Sequence, residues 1–551
     1  MASQTHSSDA PLRVDPAPIR AGDLKTALLG PRRFGLWIFA GALAFNWSCL
    51  FVFPATPLWT GGDQSIWLAD GERVFRGETL YRDFLQLTFP GTDVVYVSMF
   101  RLFGLRTWVP DALLVIVGAT LTWLIYLISR HVLSAKASLL PPLIFMTVVF
   151  HDLYDASHHW FSTLWCAAAL AVVIGRRTAR RLVFSGFFCG LATAFTQSHG
   201  VSFAAGLAVF LAIEQWQDHQ SNYWRNLVAK CGALFAGFCL GVLPITIPFV
   251  IKAGLNNFVY CTLVFVARYF GKSQGGSDWR GYMTGLPARL DWLHPWHLAG
   301  FLLVHLLLPL AYIIALLRCV RGLGGSNVET LRRVLMLTIT GTFLFLSVAS
   351  APEWQRLYYV CFPALILFAL FASSHRAIVN ALLAATLFLA VGLPAAAQLH
   401  SHGRVFLNLP GGRTAFVDDA HADRYRWVMA QTHAQDYFWG GMYPDFYFLL
   451  DLKNPTTFPY LTADGFTRPE AVTAAIRGLE DQHVSIILWQ SGLDLPAVRS
   501  EDSLGPLRRY VRSHYCVAKS FPQYEAWVRM DRGDVPCIAL PSSGRHPSPH
   551  F

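Results

Sequence analysis

Asp63, in Gly61-Gly62-Asp63-Gln64, is the side chain with the clearest chemical use. Two glycines leave the backbone permissive just ahead of a helical stretch, which places the aspartate at a helix N-cap. One carboxylate oxygen can cap while the other faces a substrate, so cap and general base are compatible roles. A plain cap is the bland alternative. The position of Asp63, a few residues beyond an apolar segment where a lipid head group would lie, argues for the base. Asp83, in Tyr81-Arg82-Asp83-Phe84, is a second candidate, with an exposed pair to Arg82 as its alternative. Asp70 and Glu72 read as the solvated face of a Gln64–Phe75 helix. A further polar stretch runs His151-Asp152-Leu153-Tyr154-Asp155-Ala156-Ser157-His158-His159-Trp160. Here Asp155 with His158 or His159 could bind a sugar, orient the base or hold a divalent ion. Tyr154 and Trp160 suit an interfacial aromatic belt. The spacing is not HExxH, and no Cys/His pattern suggests zinc. Arg356, in Trp354-Gln355-Arg356-Leu357-Tyr358-Tyr359, could snorkel to an interface or offer its guanidinium fork to a phosphate.

The elements that must position these residues are apolar. Of the 551 residues, 54% are hydrophobic and 14% charged, and mean hydropathy is +0.39. A soluble domain carries about 25% charged residues, so the composition is that of an α-helical polytopic membrane protein. The net charge of +10 does not point to nucleic acid, because Lys and Arg sit in short clusters between apolar runs, as membrane orientation requires. Candidate spans are 35–55, 110–129, 137–151, 158–175, 182–197, 199–214, 228–250, 296–318, 332–350, 355–373 and 376–397, about eleven transmembrane helices. The fifth and sixth, joined by Gln197-Ser198-His199-Gly200, could instead be one kinked or re-entrant element. Residues 1–33 carry no cleavable signal, so a cytoplasmic tail followed by a retained signal anchor is expected.

Lys25, Arg32 and Arg33 put the N-terminus inside, and alternation then places most basic loops inside as well. The 56–108 and 152–157 loops and the C-terminal domain fall outside. Pro90–Gly104 is too short to span and reads as a helix along the outer surface. Residues 251–295 break the bias, with Lys252, Arg268, Lys272, Arg280 and Arg289 on the outer side. They hide either an extra span near Asn257–Phe270 or a cationic surface for an anionic head group; the second reading is preferred. The transmembrane domain runs over 34–398. Residues 399–540 alternate strands and helices, as in a small extracytoplasmic α/β domain, and 541–551 read as disordered. In that domain helices are expected at Asp419–Thr432 and Pro469–Gln482, strands at Asp436–Trp439 and Val484–Trp489, and a hairpin from Arg512 to Met530. Eight of ten cysteines lie in or beside apolar runs; Cys516 and Cys537 form a disulfide or remain two thiols.

Together these stretches resemble the GT-C membrane glycosyltransferases, in particular the protein O-mannosyltransferase and lipid A aminoarabinose transferase group. The likeness rests on Asp63, on Gly77-Glu78-Thr79-Leu80-Tyr81-Arg82-Asp83-Phe84 with Pro90-Gly91 and Leu102-Phe103-Gly104, and on Arg356-Leu357-Tyr358-Tyr359 with Pro363. It covers the membrane half. Relatives carry Asp-Glu where this chain has Asp63-Gln64, which weakens a metal site, and Thr-Lys near Thr196-Gln197, a phosphate contact that Lys272 or Arg268 could replace. The resemblance implies sugar transfer from a polyprenyl-phosphate donor to a hydroxyl of a lipid, glycan or protein, at the outer face of the cytoplasmic membrane. It implies catalytic roles for Asp63 and Asp155 and substrate contacts from Tyr81, Asp83, His158, His159, Arg268, Lys272, Arg356 and Tyr359. No cofactor is specified, and a divalent metal is compatible with the carboxylates. The rival reading is a transporter or flippase for a lipid-linked glycan, which requires ionisable residues near the midplane of broken helices. Charged residues are nearly absent from the candidate spans, which favours surface chemistry. A ligand sensor would not need eleven spans.

Overall fold

The computed structural model describes residues 31–218, 222–270, 302–321, 328–348, 354–442, 444–463, 465–494, 502–532 and 536–538. The apolar segments are helical: α1 Pro31–Leu50, α4 Val109–Ser129, α5 Ala137–Phe150, α6 His158–Val173, α7 Ala179–Phe195, α8 Gln197–Gln217, α9 Tyr223–Ala253, α11 Leu303–Arg321, α12 Val328–Leu346, α13 Trp354–Val360, α14 Phe362–Ala372 and α15 Arg376–Leu399. Between them lie two helices of the first loop, α2 Gln64–Phe75 and α3 Gly91–Phe103, and a helical run α10 over 255–269. Among the described residues, α4, α9, α11 and the helix beginning at Arg376 are long and apolar enough to cross a membrane. Phe34–Leu50, Ala137–Phe150 and Phe362–Ala372 are shorter apolar helices. The chain is a multi-pass membrane protein.

The link at Thr196 is extended (φ −134°, ψ 103°), and the chain doubles back there. A Cβ on Gly200 would stand 2.3 Å from Thr193 N and 2.5 Å from Cys189 O, so α7 and α8 are two helices folded against each other and not one kinked element. Close approach also joins α7 to α9. Added Cβ atoms on Gly186 and Gly190 would lie 1.9 and 2.2 Å from the carbonyls of Leu234 and Phe238, and Gly237 and Gly241 meet α7 in the same way. This is the small-xxx-small packing that lets membrane helices touch backbone to backbone. The described part of the α10 run, 255–269, is about 22 Å long at the helical rise, and residues 271–301 that follow it lie outside the described residues.

The C-terminal part holds a hairpin, β3 Val405–Leu409 with β4 Gly412–Phe416, and a three-stranded antiparallel sheet in the order β5 Ile486–Gln490, β7 Tyr524–Arg529, β6 Tyr515–Phe521. The short strands of the first loop, β1 Phe51–Val52 and β2 Thr56–Pro57, pair separately. Helices α16 Asp419–Gln431, α17 Asp445–Leu450, α18 Pro469–Asp481 and α19 Gly505–His514 complete it. The helices expected over 419–432 and 469–482 are present. The strand expected over 436–439 is reduced to single bridges, Tyr437 with Lys453 and Trp439 with Ile487. Cys516 and Cys537 form a disulfide with Cα atoms 5.6 Å apart.

This part is fastened to the first loop, which is what positions the candidate residues. Trp59 donates its backbone N–H to Ala415 O (2.8 Å) and its indole N–H to the Tyr425 hydroxyl (3.1 Å). Leu85 N donates to Thr457 O at 2.9 Å, and Arg73 to Thr456 O at 3.0 Å. Helix α2 is therefore covered on both sides, by α3 and by α17. Asp70 and Glu72, expected on a solvated face, are 1% and 2% exposed. They bring their own partners: Gln86 donates to Asp70 at 2.7 Å, and Arg76 pairs with Glu72 and with Asp451.

Candidate active site

Asp63 occupies the N-cap position of α2, but its backbone is helical (φ −60°, ψ −26°) and its side chain makes no capping hydrogen bond. The capping oxygen comes from the second loop. Gln64 N donates to Asp155 Oδ1 at 2.7 Å, and the Tyr359 hydroxyl donates to Asp155 Oδ2 at 3.2 Å. Gln64 ties the two loops further: its Oε1 accepts from Ala156 N (3.1 Å), and its amide N–H donates to Thr60 Oγ1 (3.1 Å). Tyr96 on α3 donates to Ala156 O at 2.6 Å. Asp155 is thus fully engaged and 7% exposed, while the Asp63 carboxylate makes no hydrogen bond or ion pair among the described residues.

Two cavities meet at Asp63. A polar chamber of about 840 Å³ is lined on one side by Trp59–Asp63, the 151–155 loop and Tyr359, and roofed by His421, Arg424, Tyr425, Asp445, Gln490 and Tyr524. A more apolar cavity of about 360 Å³ runs along α2, α10 and the 459–466 segment, past Ile66, Trp67, Leu87, Leu263, Val266, Phe270 and Phe466. Asp63, His159 and Arg356 line both. His159 stacks on Tyr359 with ring centres 4.4 Å apart, and its Nδ1 is buried without a hydrogen-bond partner among the described residues. The Arg356 guanidinium lies 5.1 Å from the Phe270 ring centre.

Asp63 lines both cavities, among side chains of the two loops and of the C-terminal part. Desolvation there raises its pKa, and the nearby Arg356 charge opposes the rise. Asp155 is pushed up to about 7 by burial and by the charge of Asp63, against the stabilising N–H of Gln64 and hydroxyl of Tyr359. The site therefore holds two interacting carboxyls that ionise reluctantly, beside a guanidinium. Such an arrangement can take up a proton near neutral pH and hold an anion next to it. Among the described residues, no group of three or more His, Cys, Asp and Glu stands together to hold a metal ion.

Of the residues singled out from the sequence, Asp63, Asp155, His159, Arg356 and Tyr359 line the polar chamber, and His158 lines the apolar cavity with Thr196 and Gln197. His158 Nδ1 lies 2.7 Å from Thr196 Oγ1. Tyr81 and Asp83 line neither cavity. Tyr81 is buried at positive φ (68°) and donates to Thr88 O at 2.7 Å; Asp83 accepts from Thr79 N at 2.6 Å and pairs with Arg82. Both brace the loop from within. Arg268 is exposed on α10 and lines neither cavity, and Lys272 lies outside the described residues. Gln197, in place of a lysine, donates to Leu87 O and Thr262 O at 2.9 and 3.1 Å. The sequence marks Gln64 only as a departure from relatives, without its role in tying the two loops, and gives no sign of the roof residues. The roof lies about 360 to 460 residues from Asp63 in the chain, beyond the reach of any local signal.

No protein-family model and no curated relative matches the chain. Two solved structures of ArnT from Cupriavidus metallidurans resemble it. The one bound to undecaprenyl phosphate gives a TM-score of 0.56 at 12% identity, over 90% of this chain and 98% of that one. The one in the apo state gives 0.57 at 14% identity, over 90% and 98%. At this identity the likeness is one of architecture, and it spans the membrane helices and the C-terminal part together. The chain carries the GT-C fold.

Proposed function

We propose that the chain is a membrane glycosyltransferase that moves a sugar from a polyprenyl-phosphate donor to an acceptor hydroxyl, with inversion, at the extracytoplasmic face of the cytoplasmic membrane. The observation that carries this reading is an unpartnered carboxylate, Asp63, at the junction of a polar chamber and an apolar cavity, with Arg356 lining both. The undecaprenyl phosphate held by the similarly folded ArnT lends support to a lipid-phosphate donor. The lipid lies along the apolar cavity with its phosphate at Arg356, and the acceptor enters from the chamber. Asp63 takes the acceptor proton as the hydroxyl oxygen bonds to the anomeric carbon, and the bond from that carbon to the phosphate oxygen breaks. The departing polyprenyl phosphate keeps the electron pair. It needs fixed positive charge and not a proton, which the Arg356 guanidinium supplies. A raised pKa suits Asp63 to this task, because a base works best with its pKa near the working pH. Asp155 and Tyr359 position it by holding the start of α2.

The test is transfer from a radiolabelled polyprenyl-phosphate sugar in membranes carrying wild type or Asp63→Asn. Loss of the base is expected to slow transfer by about 10²–10⁴-fold. Equal rates would remove Asp63 from the mechanism.

A further inference from the structure

The polar chamber is far larger than a single attacking hydroxyl requires. At about 840 Å³ it sits in the upper part of the range for small-molecule sites, roughly 300–1,000 Å³. Its charge is distinctive. Among the described lining residues, Asp63, Asp152, Asp155 and Asp445 face only the guanidinium groups of Arg356 and Arg424. Arg356 also lines the apolar cavity, and Arg424 lies over the Tyr524 ring at 4.4 Å from its centre. Four carboxyls against two guanidinium groups leave an acceptor with its own phosphates no surplus of cations to pair with.

What the chamber does offer is hydrogen-bond acceptors beside aromatic faces. Asp445 Oδ1 and Gln490 Oε1 are buried and have no hydrogen-bond partner among the described residues, an arrangement that calls for a donor from outside the protein. Asp445 reaches the first loop: a Cβ on Gly61 would be 4.0 Å from its Oδ2, two residues from Asp63. Trp59, Tyr154, Phe416 and Tyr524 add aromatic rings to the walls. We infer that the chamber is an acceptor site for the end of an uncharged, polyhydroxylated glycan, whose hydroxyls donate to Asp445 and Gln490. The C-terminal part thereby selects the acceptor, while the membrane half binds the donor. This rests on the transferase reading above and adds the acceptor class to it.

The experiment uses the full chain in lipid nanodiscs. Saturation-transfer NMR is recorded with a panel of neutral trisaccharides (maltotriose, mannotriose, chitotriose) and with a bisphosphorylated disaccharide. Polyprenyl phosphate binding is measured on the same samples. At least one neutral trisaccharide should bind with little dependence on salt, and binding should weaken about tenfold in Asp445→Ala and in Gln490→Ala, the loss of one hydrogen bond to each. Gln490→Ala, at the end of a strand, keeps the test open if Asp445→Ala does not fold. The inference is overturned if no trisaccharide binds, if both variants bind as wild type does, or if the bisphosphorylated disaccharide binds more tightly in a salt-sensitive way. Trisaccharide binding without polyprenyl phosphate binding would instead sink the transferase reading and leave the glycan chamber standing.

Discussion

Substitutions at Asp155 separate a positioning carboxylate from a reacting one. Asp155 Oδ1 caps α2 at Gln64 N, and Oδ2 receives the Tyr359 hydroxyl. In Asp155→Ala both donors lose their acceptor. A lost N-cap costs about 1 kcal/mol, and a stranded buried hydroxyl about 1–3 kcal/mol more. If that loss is felt in the placement of the adjacent Asp63, about 2–4 kcal/mol translates into roughly 30- to 1,000-fold in rate. Asp155→Asn keeps an oxygen for Gln64 N, and its amide N–H can donate to the Tyr359 oxygen once that hydroxyl turns, so it should retain activity within about tenfold of wild type at mildly alkaline pH. The pH profile gives the second readout. The two carboxyls are coupled: the charge of Asp63 helps raise Asp155 to about 7, and by reciprocity Asp155 opposes ionisation of Asp63. A base must be ionised to work. Removing the neighbouring charge therefore shifts the acid limb of the Asn variant to lower pH. The assay is kcat/KM for transfer from labelled polyprenyl-phosphate donor, by purified protein in liposomes, between about pH 5 and 9. If Asn and Ala are equally inactive at every pH while both unfold at the wild-type temperature, Asp155 reacts directly and the positioning argument fails.

Two further outcomes follow from the same groups. Arg356 is what holds down the pKa of Asp63, so Arg356→Gln should move the acid limb of activity to higher pH and slow transfer about 10- to 100-fold through loss of a charged phosphate contact. Arg356→Lys should recover the pH limb but less of the rate, because a point charge lacks the fork; an unmoved limb in both variants would mean the two residues do not interact. Asp93, fully buried on α3 with neither carboxylate oxygen hydrogen-bonded among the described residues, is raised to about 8 by burial. A carboxyl whose folded pKa lies above its unfolded value of about 3.9 favours folding while protonated, and that advantage drains away as pH rises from about 4 to about 8. Asp93→Asn should thus come nearest to wild type in thermal unfolding near pH 4 and gain on it steadily up to about pH 8; parallel curves would show that burial does not raise the Asp93 carboxyl.

Much of this architecture was legible because membrane helices announce themselves by composition. The segments at 110–129, 228–250 and 376–397 needed only apolar length, and helices α4, α9 and α15 cover them. The helix beginning after Asp63 was legible for a local reason, the Gly61-Gly62 break ahead of a periodic run. What could not be read was which neighbour would cover a polar residue. Asp70 and Glu72 look solvent-bound in their own window, and they are buried because segments some 380 residues later settle on α2. The same blindness misplaced Tyr81 and Asp83. Their text matched that of relatives, and in this fold it forms a loop with an internal brace and a left-handed residue that lines neither cavity. Asp155 lay within the suspected stretch, yet its partners Gln64 and Tyr359 are 91 and 204 residues away, so the cap it supplies could emerge only from the fold.

The departure at Gln64 becomes intelligible in that setting. A carboxylate there would be a third acid beside Asp63 and Asp155, two groups whose ionisation is already opposed by burial, and each added negative charge would push the pair further toward its protonated forms. The amide avoids this and does something a carboxylate cannot. It accepts from Ala156 N with its oxygen while donating to Thr60 Oγ1 with its nitrogen, so one side chain locks the first loop to the second from both ends. With neutral Gln64 bracing the loops and Asp155 capping the helix, Asp63 is left as the one carboxylate of the three positions with no structural bond to give up when it takes a proton.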